Sequence, residues 1–253
     1  MGRENAVYLA HDESRGVDVA IKENTYSDLA HRRQFRLEAL ILANLRHPNI
    51  PRGIDSFDAD GRQFIVMDFI EGINLLQLPL QRKPGTEEIL HWAARICDTL
   101  AYLHSLTPPI LHRDVEPSNI ILTGDGRLFL IDFGLAKVYN AEDVMPSGAT
   151  PAPSAASSPD ETSAPVQHRD IVRTDPRTDQ YSLAATIYCL LTGAPPVDSL
   201  GRLFGKVDLQ PIRPSRPDLS ASAEEAIFRA LSIEPDGRFS DIGSFKSALR
   251  AGN

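Results

Sequence analysis

Short apolar runs dominate the first part of the chain. Residues 6–10, 17–21 and 63–70 are apolar stretches separated by polar turns, which is the pattern of β-strands. Residues 29–45 instead repeat apolar side chains at helical spacing, and the apolar positions of this predicted helix are Phe35, Leu40, Leu42 and Leu45. The first part of the chain is therefore expected to form a small β-rich unit with one helix.

Helical spacing dominates the remainder of the chain. The predicted helices span residues 86–103, 179–191, 222–231 and 241–249. Thr86 is expected to cap the first of these helices, and Ser222 with Glu225 has the spacing of a capping box at the third. Together with the strands, these helices predict an α+β fold whose larger part is helical.

A predicted β-hairpin lies between the two parts and carries polar residues at both ends. Apolar runs at 120–122 and 128–131 are joined by a Gly-Asp-Gly turn. A hairpin brings its two ends together, so Asp114, Asn119 and Asp132 are expected to converge at one edge. For any one of these residues alone, a solvated surface position is the simpler interpretation. Two carboxylates and a carboxamide together form a set of hard oxygen ligands, which suits Mg²⁺.

Two sequence patterns around this hairpin resemble those of protein kinases. Residues 112–119 have the pattern His-Arg-Asp-x-x-x-x-Asn, and Asp-Phe-Gly follows at 132–134. These match the catalytic and metal-binding loops of that family. Val-Ala-Ile-Lys at 19–22 and His-Pro-Asn-Ile at 47–50 are also typical of it. The Pro-Ser-Asn end of the catalytic pattern favours serine/threonine kinases, of the eukaryotic-like type found in bacteria.

The resemblance implies a two-lobed protein-kinase-like fold in a single domain covering residues 1–253. Residues 1–70 would form a small β-rich N-lobe and the hinge, with the family's first strand missing, and residues 71–253 would form a larger helical C-lobe. An activation segment is expected at about residues 132–167. Within it, residues 145–165 are rich in Pro, Ser, Ala and Thr, a composition that predicts a mobile loop.

The resemblance also assigns roles to residues at matching positions. Asp114 would accept or orient the proton of a substrate hydroxyl, and Arg113 would bind a phosphorylated residue of the activation segment. Lys22 would hold the α- and β-phosphates of ATP, fixed in place by Glu38. The expected Mg²⁺ ligands are Asn119 and Asp132, and the residues expected around the nucleotide are Gly2, Val7, Ala20, Lys22, Met67, Asp68, Ile70 and Ile121.

Taken one at a time, several of these residues have simpler interpretations. A strand lysine such as Lys22 is usually a solvated edge residue, and Glu38 could pair with a basic neighbour on its own helix. Met67 is also explained as a core methionine. Asp179, which in kinases anchors the catalytic-loop backbone, could simply favour the helix dipole.

Three positions depart from the family pattern. Only Gly2 remains of the glycine-rich loop, because Asn5 stands where a further glycine is expected. Glu116 replaces a lysine that normally meets the γ-phosphate. Val166 replaces the glutamate whose usual partner would be Arg238. These departures leave a second function open, that of a pseudokinase acting as a nucleotide-binding, scaffold or regulatory module.

Composition limits the partners of the chain. A net charge of −8 and a pI of about 5.4 argue against nucleic acid or an anionic membrane as the main partner. No apolar stretch has the length of a membrane span, and Cys97 and Cys189 are expected to be reduced thiols of a cytoplasmic protein. Combined with the resemblance, this favours a Mg²⁺-dependent protein kinase that transfers phosphate from ATP to serine or threonine hydroxyls of proteins, itself in trans included.

Overall fold

The computed structural model describes residues 5–139, 175–197, 201–202 and 208–251. Gly2, Val166 and the stretch predicted to be mobile at residues 145–165 lie outside the described residues. Within the described ranges, strands dominate the N-terminal part and helices the C-terminal part, as the apolar pattern predicted.

Four antiparallel strands form the sheet of the N-terminal lobe, in the spatial order β1-β2-β4-β3. The strands are β1 (Ala6–Asp12), β2 (Val17–Asn24), β3 (Gly53–Ala59) and β4 (Arg62–Asp68). The pairing register places Val7 opposite Lys22 and Ala20 opposite Met67. Strand pairing therefore brings four of the expected nucleotide-site residues to neighbouring positions in one sheet.

One helix, α1 (Leu29–Asn44), packs beside this sheet. The Asp28 side chain caps it by accepting a hydrogen bond from the backbone N–H of His31. Its buried residues are Phe35, Glu38, Ile41 and Leu42. The expectation that Leu40 lies on the apolar face is wrong, because Leu40 is 63% exposed. At 3.6 residues per turn, Leu40 lies on the opposite side of the helix from Leu42 and Phe35.

The C-terminal lobe is built from five helices of the described residues. They are α2 (Leu78–Gln81), α3 (Thr86–Ser105), α4 (Arg177–Thr192), α5 (Ala221–Ala230) and α6 (Ile242–Arg250). Helix α3 packs against both α4 and α6 around fully buried side chains such as Leu100, Tyr181 and Phe245. Burying each such side chain contributes about 1.5–3 kcal/mol. None of the helices in the described ranges combines the length and the apolar character that a membrane crossing needs.

Two predicted helix caps are wrong. Gly85 is the N-cap of α3, so Thr86 is the first residue inside the helix. At α5 the cap is Ser220, which accepts a hydrogen bond from the N–H of Ala223 at 3.2 Å, and not Ser222. The local sequence Ser-Ala-Ser-Ala places two serines two residues apart. Only Ser220, which has extended backbone, precedes the helix and can accept a hydrogen bond from the third helical N–H.

The predicted hairpin is present as β7 (Ile120–Thr123) and β8 (Leu128–Leu130), with β5 (Gly72–Asn74) paired on the other side of β7. A separate pair joins β6 (Ile110–Leu111) to β9 (Lys137–Val138). At the open end of the hairpin, the N–H of Ile131 donates to the carbonyl of Asn119 at 2.9 Å. The residues before β7 and after β8 are therefore neighbours.

Candidate active site

Three charged side chains from three elements meet between the lobes. Nζ of Lys22, on β2, lies 2.7 Å from Oε1 and 3.0 Å from Oε2 of Glu38 on α1. The same nitrogen lies 2.7 Å from Oδ1 of Asp132, which follows β8 and is 110 residues away in the chain. Lys22 and Glu38 are 4% and 1% exposed, so this ion pair is held away from water.

Electrostatics favour the charged forms of Lys22 and Asp132, whereas burial raises the pKa of Glu38 against the attraction of Lys22. Burial opposes the charge of the Lys22 ammonium, but Glu38 and Asp132 outweigh it and raise the pKa of Lys22 above its usual value. Removal from water likewise opposes the Asp132 carboxylate, but Lys22 and the N–H of Gly134 lower its pKa. Both shifts favour the ionised forms at neutral pH, which is the state that phosphate and metal binding require.

The turn after β8 depends on a glycine. Asp132 has a φ of 60°, in the left-handed region, and its Oδ1 accepts a hydrogen bond from the N–H of Gly134 at 2.9 Å. A Cβ atom at position 134 would lie 2.9 Å from Asp132 Oδ1 and 3.3 Å from Lys22 Nζ. A side chain there would therefore push apart the two groups that form the ion pair.

His112 connects the two motifs from a fully buried position. Its Nε2 lies 3.2 Å from the carbonyl oxygen of Ile131, and its Nδ1 lies 3.3 Å from the N–H of Asp114. A carbonyl accepts and an N–H donates, so these contacts require a neutral ring protonated at Nε2. Burial lowers the pKa of His112, which favours the same neutral form. The ring also packs edge-on against Phe133, with 4.7 Å between the ring centroids.

Asp114 and Asn119 form a pair within the loop at residues 112–119. The amide nitrogen of Asn119 donates to Oδ2 of Asp114 at 2.9 Å and to its carbonyl oxygen at 3.0 Å. Because the amide nitrogen faces Asp114, the amide oxygen Oδ1 lies on the other side of the carboxamide and can bind a cation. Together with the hydrogen bond between Ile131 and Asn119, this brings Asp114, Asn119 and Asp132 to one edge of the hairpin.

Asp179 fixes the backbone of this loop from α4. Its carboxylate accepts hydrogen bonds from the N–H groups of His112 at 3.0 Å and Arg113 at 2.7 Å, and Nε2 of His104 lies 2.8 Å away. Burial alone would raise the pKa of the fully buried Asp179, but the contacts with His104, His112 and Arg113 lower it. Arg113 is held with a φ of 66°. The helix dipole alone therefore does not account for Asp179.

The contact between His104 and Asp179 is not predicted by the sequence. The ring and the carboxylate are 75 residues apart in the chain, and His104 in the last turn of α3 has the pattern of an ordinary dipole-favouring residue. No local signal distinguishes it from such a residue. Only the packing of α3 against α4 brings it to Asp179.

The donor set fits Mg²⁺. Asp132 and Asn119 offer a carboxylate and a carboxamide oxygen, which are hard ligands. The described residues contain no group of three or more His, Cys, Asp or Glu side chains that could hold a metal. The protein would thus supply only a few ligands, as is usual where Mg²⁺ is also bound by substrate phosphates.

The residues expected around the nucleotide lie on both sides of the hinge. Ala20 and Met67 are paired in the N-terminal sheet, whereas Ile121 lies on β7 in the other lobe. A Cβ atom on Gly72 would lie 2.6 Å from Cγ2 of Ile121, so this side chain lies directly against the end of the hinge. The N–H of Asp68 donates to the carbonyl of Arg52 at 3.0 Å, so Asp68 could meet an adenine edge only through its carbonyl oxygen.

The protein kinase domain family matches residues 1–250 of this chain. The chain belongs to the protein kinase family. It is 34% identical over 230 residues to the serine/threonine-protein kinase PknI of Mycobacterium tuberculosis, a match that covers 88% of the chain and 35% of PknI. It is 32% identical over 273 residues to the serine/threonine-protein kinase Pkn1 of Myxococcus xanthus, covering 98% of the chain and 36% of Pkn1. This kinase thus spans about a third of the length of these relatives.

A crystal structure of the Mycobacterium tuberculosis PknI kinase domain has the same fold as this kinase. The two superpose with a TM-score of 0.74 at 31% sequence identity, over 98% of this chain and 91% of that chain. The predicted two-lobed kinase fold and the bacterial eukaryotic-like serine/threonine type are therefore confirmed. None of these relatives favours the pseudokinase alternative.

Arg238 of this kinase has partners although the expected glutamate is replaced by Val166. Its guanidinium donates to the carbonyls of Ser232, Ile233 and Arg177 at 2.9, 3.0 and 2.9 Å. It also stacks over the ring of Tyr181 at 4.8 Å. Burial lowers the pKa of Arg238 to about 10, so it stays charged at neutral pH. Backbone carbonyls therefore take up the donors of Arg238.

Proposed function

We propose that this kinase transfers the γ-phosphoryl group of ATP to serine and threonine hydroxyls of proteins in a Mg²⁺-dependent reaction. The observation that carries this proposal is the contact of Lys22 with both Glu38 and Asp132 at the hairpin edge that also holds Asp114 and Asn119. Phosphoryl transfer requires positioning and charge stabilisation more than covalent chemistry by the protein. Lys22 on β2 and Glu38 on α1 supply the positioning and the charge from regular secondary structure.

Each residue has a distinct proposed task. Lys22, fixed by Glu38, would orient the α- and β-phosphates, while Asp114 would accept or orient the proton of the substrate hydroxyl. Bound Mg²⁺ would neutralise charge on the phosphates, and the oxygens that would hold it belong to Asn119 and Asp132. The hydrogen bonds from Asn119 hold the Asp114 carboxylate in place for an incoming hydroxyl.

We propose that residues 1–253 form one kinase domain, with a nucleotide site from Gly2, Val7, Ala20, Met67, Asp68, Ile70 and Ile121. Arg113 would bind a phosphorylated residue of an activation segment at about residues 132–167, placed there by a second copy in trans. The use of ATP and the presence of only two cysteines favour the cytoplasm as its location.

Incubation with labelled ATP, Mg²⁺ and a generic protein substrate tests this function. Asp114→Asn should reduce transfer at least about a hundredfold, because the amide cannot accept the hydroxyl proton. Asp55→Asn, on an exposed strand position, is the matched control and should retain wild-type transfer. Chelation of Mg²⁺ should abolish transfer, and its return should restore it. Equal rates for Asp114→Asn and wild type would contradict the assignment of the base.

Glu116→Lys is expected to raise kcat about tenfold on a peptide without charged neighbours, equivalent to about 1.4 kcal/mol of barrier. The carboxylate opposes the negative charge of the transferring phosphoryl group, whereas lysine would attract it and donate to its oxygens. Steady-state kinetics with Glu116→Gln as the intermediate variant measures this. An unchanged kcat in both variants would show that the Glu116 charge does not reach the phosphoryl group.

A further inference from the structure

Helix α1 contacts the segment at residues 133–136 at two points that lie one helical turn apart. At the first point, the amide Nε2 of Gln34 donates a hydrogen bond to the carbonyl oxygen of Ala136 at 3.0 Å, across 102 residues of sequence. At the second point, the Glu38 carboxylate accepts a hydrogen bond from the N–H of Phe133. Residues four positions apart lie on the same face of a helix, so both side chains are directed at this segment.

The segment that α1 contacts is a buried turn that continues into a strand. Phe133 and Ala136 are 0% and 1% exposed, and the N–H of Ala136 donates to the carbonyl of Phe133 at 2.9 Å. Directly after this turn, β9 pairs with β6, and β6 leads into the catalytic loop at His112. A buried backbone carbonyl requires a donor, and Gln34 supplies one to Ala136.

Two contacts fix the orientation of α1, whereas one contact alone would not. A helix held only at Glu38 can rotate about that point, because the apolar packing of the helix on the sheet is non-directional. Such a rotation would carry along Lys22, whose Nζ lies 2.7 Å from Glu38 Oε1 and also 2.7 Å from Asp132 Oδ1. The second hydrogen bond, one turn away, opposes this rotation.

A neutral amide suits the position of Gln34. It donates to a carbonyl without adding a charge beside the Lys22, Glu38 and Asp132 cluster. A lysine or arginine at the same place would attract Glu38, four residues later on the same helix, and compete with Lys22 for its carboxylate. The side chain is also partly buried, unlike that of a glutamine that only meets solvent.

We propose that Gln34 is a positioning residue for phosphoryl transfer, which holds α1 against the Ala136 carbonyl so that Lys22 and Asp132 are correctly placed. This inference rests on the proposed transfer reaction and adds to it a residue that acts through Glu38. Loss of the hydrogen bond should therefore lower kcat more than it weakens the binding of ATP, because misplaced groups cost most in the transition state.

Two substitutions at one position test the hydrogen bond itself. Gln34→Met keeps the length of the side chain but removes the donor, so kcat should fall about tenfold while KM for ATP changes by less than about threefold. Gln34→His restores a donor, because a neutral imidazole can donate from Nε2, and its kcat should lie within about threefold of wild type at about pH 8. Gln81→Met, at an exposed position of α2, is the matched control and should retain the wild-type kcat.

Amide hydrogen exchange gives a readout that does not depend on turnover. In Gln34→Met, the amides of residues 133–138 should exchange about tenfold faster than in wild type, whereas those of α5 and α6 should not change. The midpoint of urea denaturation should shift by less than about 0.5 M. A local effect of this kind separates the positioning role from a general loss of stability.

The outcomes distinguish the inference from the function. An unchanged kcat in Gln34→Met, or a loss in Gln34→His or Gln81→Met as large as that in Gln34→Met, would overturn the inference and leave the kinase function intact. Unchanged exchange of residues 133–138 in Gln34→Met would overturn it as well. Absence of transfer by the wild-type protein to every protein substrate, with ATP and Mg²⁺ present, would instead remove the proposed function and this inference with it.

Discussion

Lys22→Met is expected to abolish measurable phosphoryl transfer, a loss of more than about a hundredfold. Methionine has similar length but cannot contact the phosphates or hold Asp132, whose Oδ1 lies 2.7 Å from Lys22 Nζ. It also leaves Glu38, which is 1% exposed, without its ammonium partner. Breaking a buried ion pair in this way should lower the free energy of unfolding by about 3 kcal/mol.

A double variant separates catalysis from stability. Adding Glu38→Gln to Lys22→Met removes the buried uncompensated charge, so urea denaturation should show recovery of much of the lost free energy of unfolding. Transfer should remain absent, because no cation faces the phosphates. Lys83→Met, at an exposed position, is the control and should change stability by less than about 0.5 kcal/mol. Wild-type transfer by the single variant would contradict the proposed role of Lys22.

Asp179→Ala is expected to be the most destabilising single substitution considered for this kinase. The carboxylate is fully buried and holds the N–H groups of His112 and Arg113 together with His104. Alanine would leave these donors in the core without an acceptor, at about 1–3 kcal/mol each. We expect a loss of about 4 kcal/mol in the free energy of unfolding and disorder of the catalytic loop.

The pH dependence of stability gives an independent test of Asp179. Its pKa in the folded state is lowered, so its charge contributes stability that is fully present above the ordinary aspartate value of about 3.9. This contribution should be lost as the pH falls through the lower folded-state pKa. In Asp179→Asn, the acid-induced loss of stability should be smaller than in wild type, whereas Asp55→Asn should follow the wild-type curve. Identical acid curves for wild type and Asp179→Asn would contradict the assignment.

Local patterns in the sequence were sufficient to predict the hairpin and most of the helices. The Gly-Asp-Gly turn and two short apolar runs define β7 and β8 because a two-stranded ribbon is decided by neighbours in the chain. The apolar face of α1 was only partly predicted. Leu40 has the composition of a core residue but points away from the sheet, since the position of the sheet decides which side of the helix is buried. The N-cap of α5 was predicted wrongly because Ser220 and Ser222 both have a hydroxyl that can cap a helix.

The candidate site likewise combines features that local motifs predict with contacts that depend on the fold. By itself, the sequence determined the residue types that carry the proposed chemistry, because Lys22, Asp114, Asn119 and Asp132 occupy short motifs whose spacing is a local property. Only the tertiary structure decided that His104 joins Asp179 across 75 residues, and that carbonyl groups take up the donors of Arg238. These contacts arise from the packing of helices, in which buried polar groups must find acceptors and donors wherever the fold places them, and no periodicity along the chain encodes that choice.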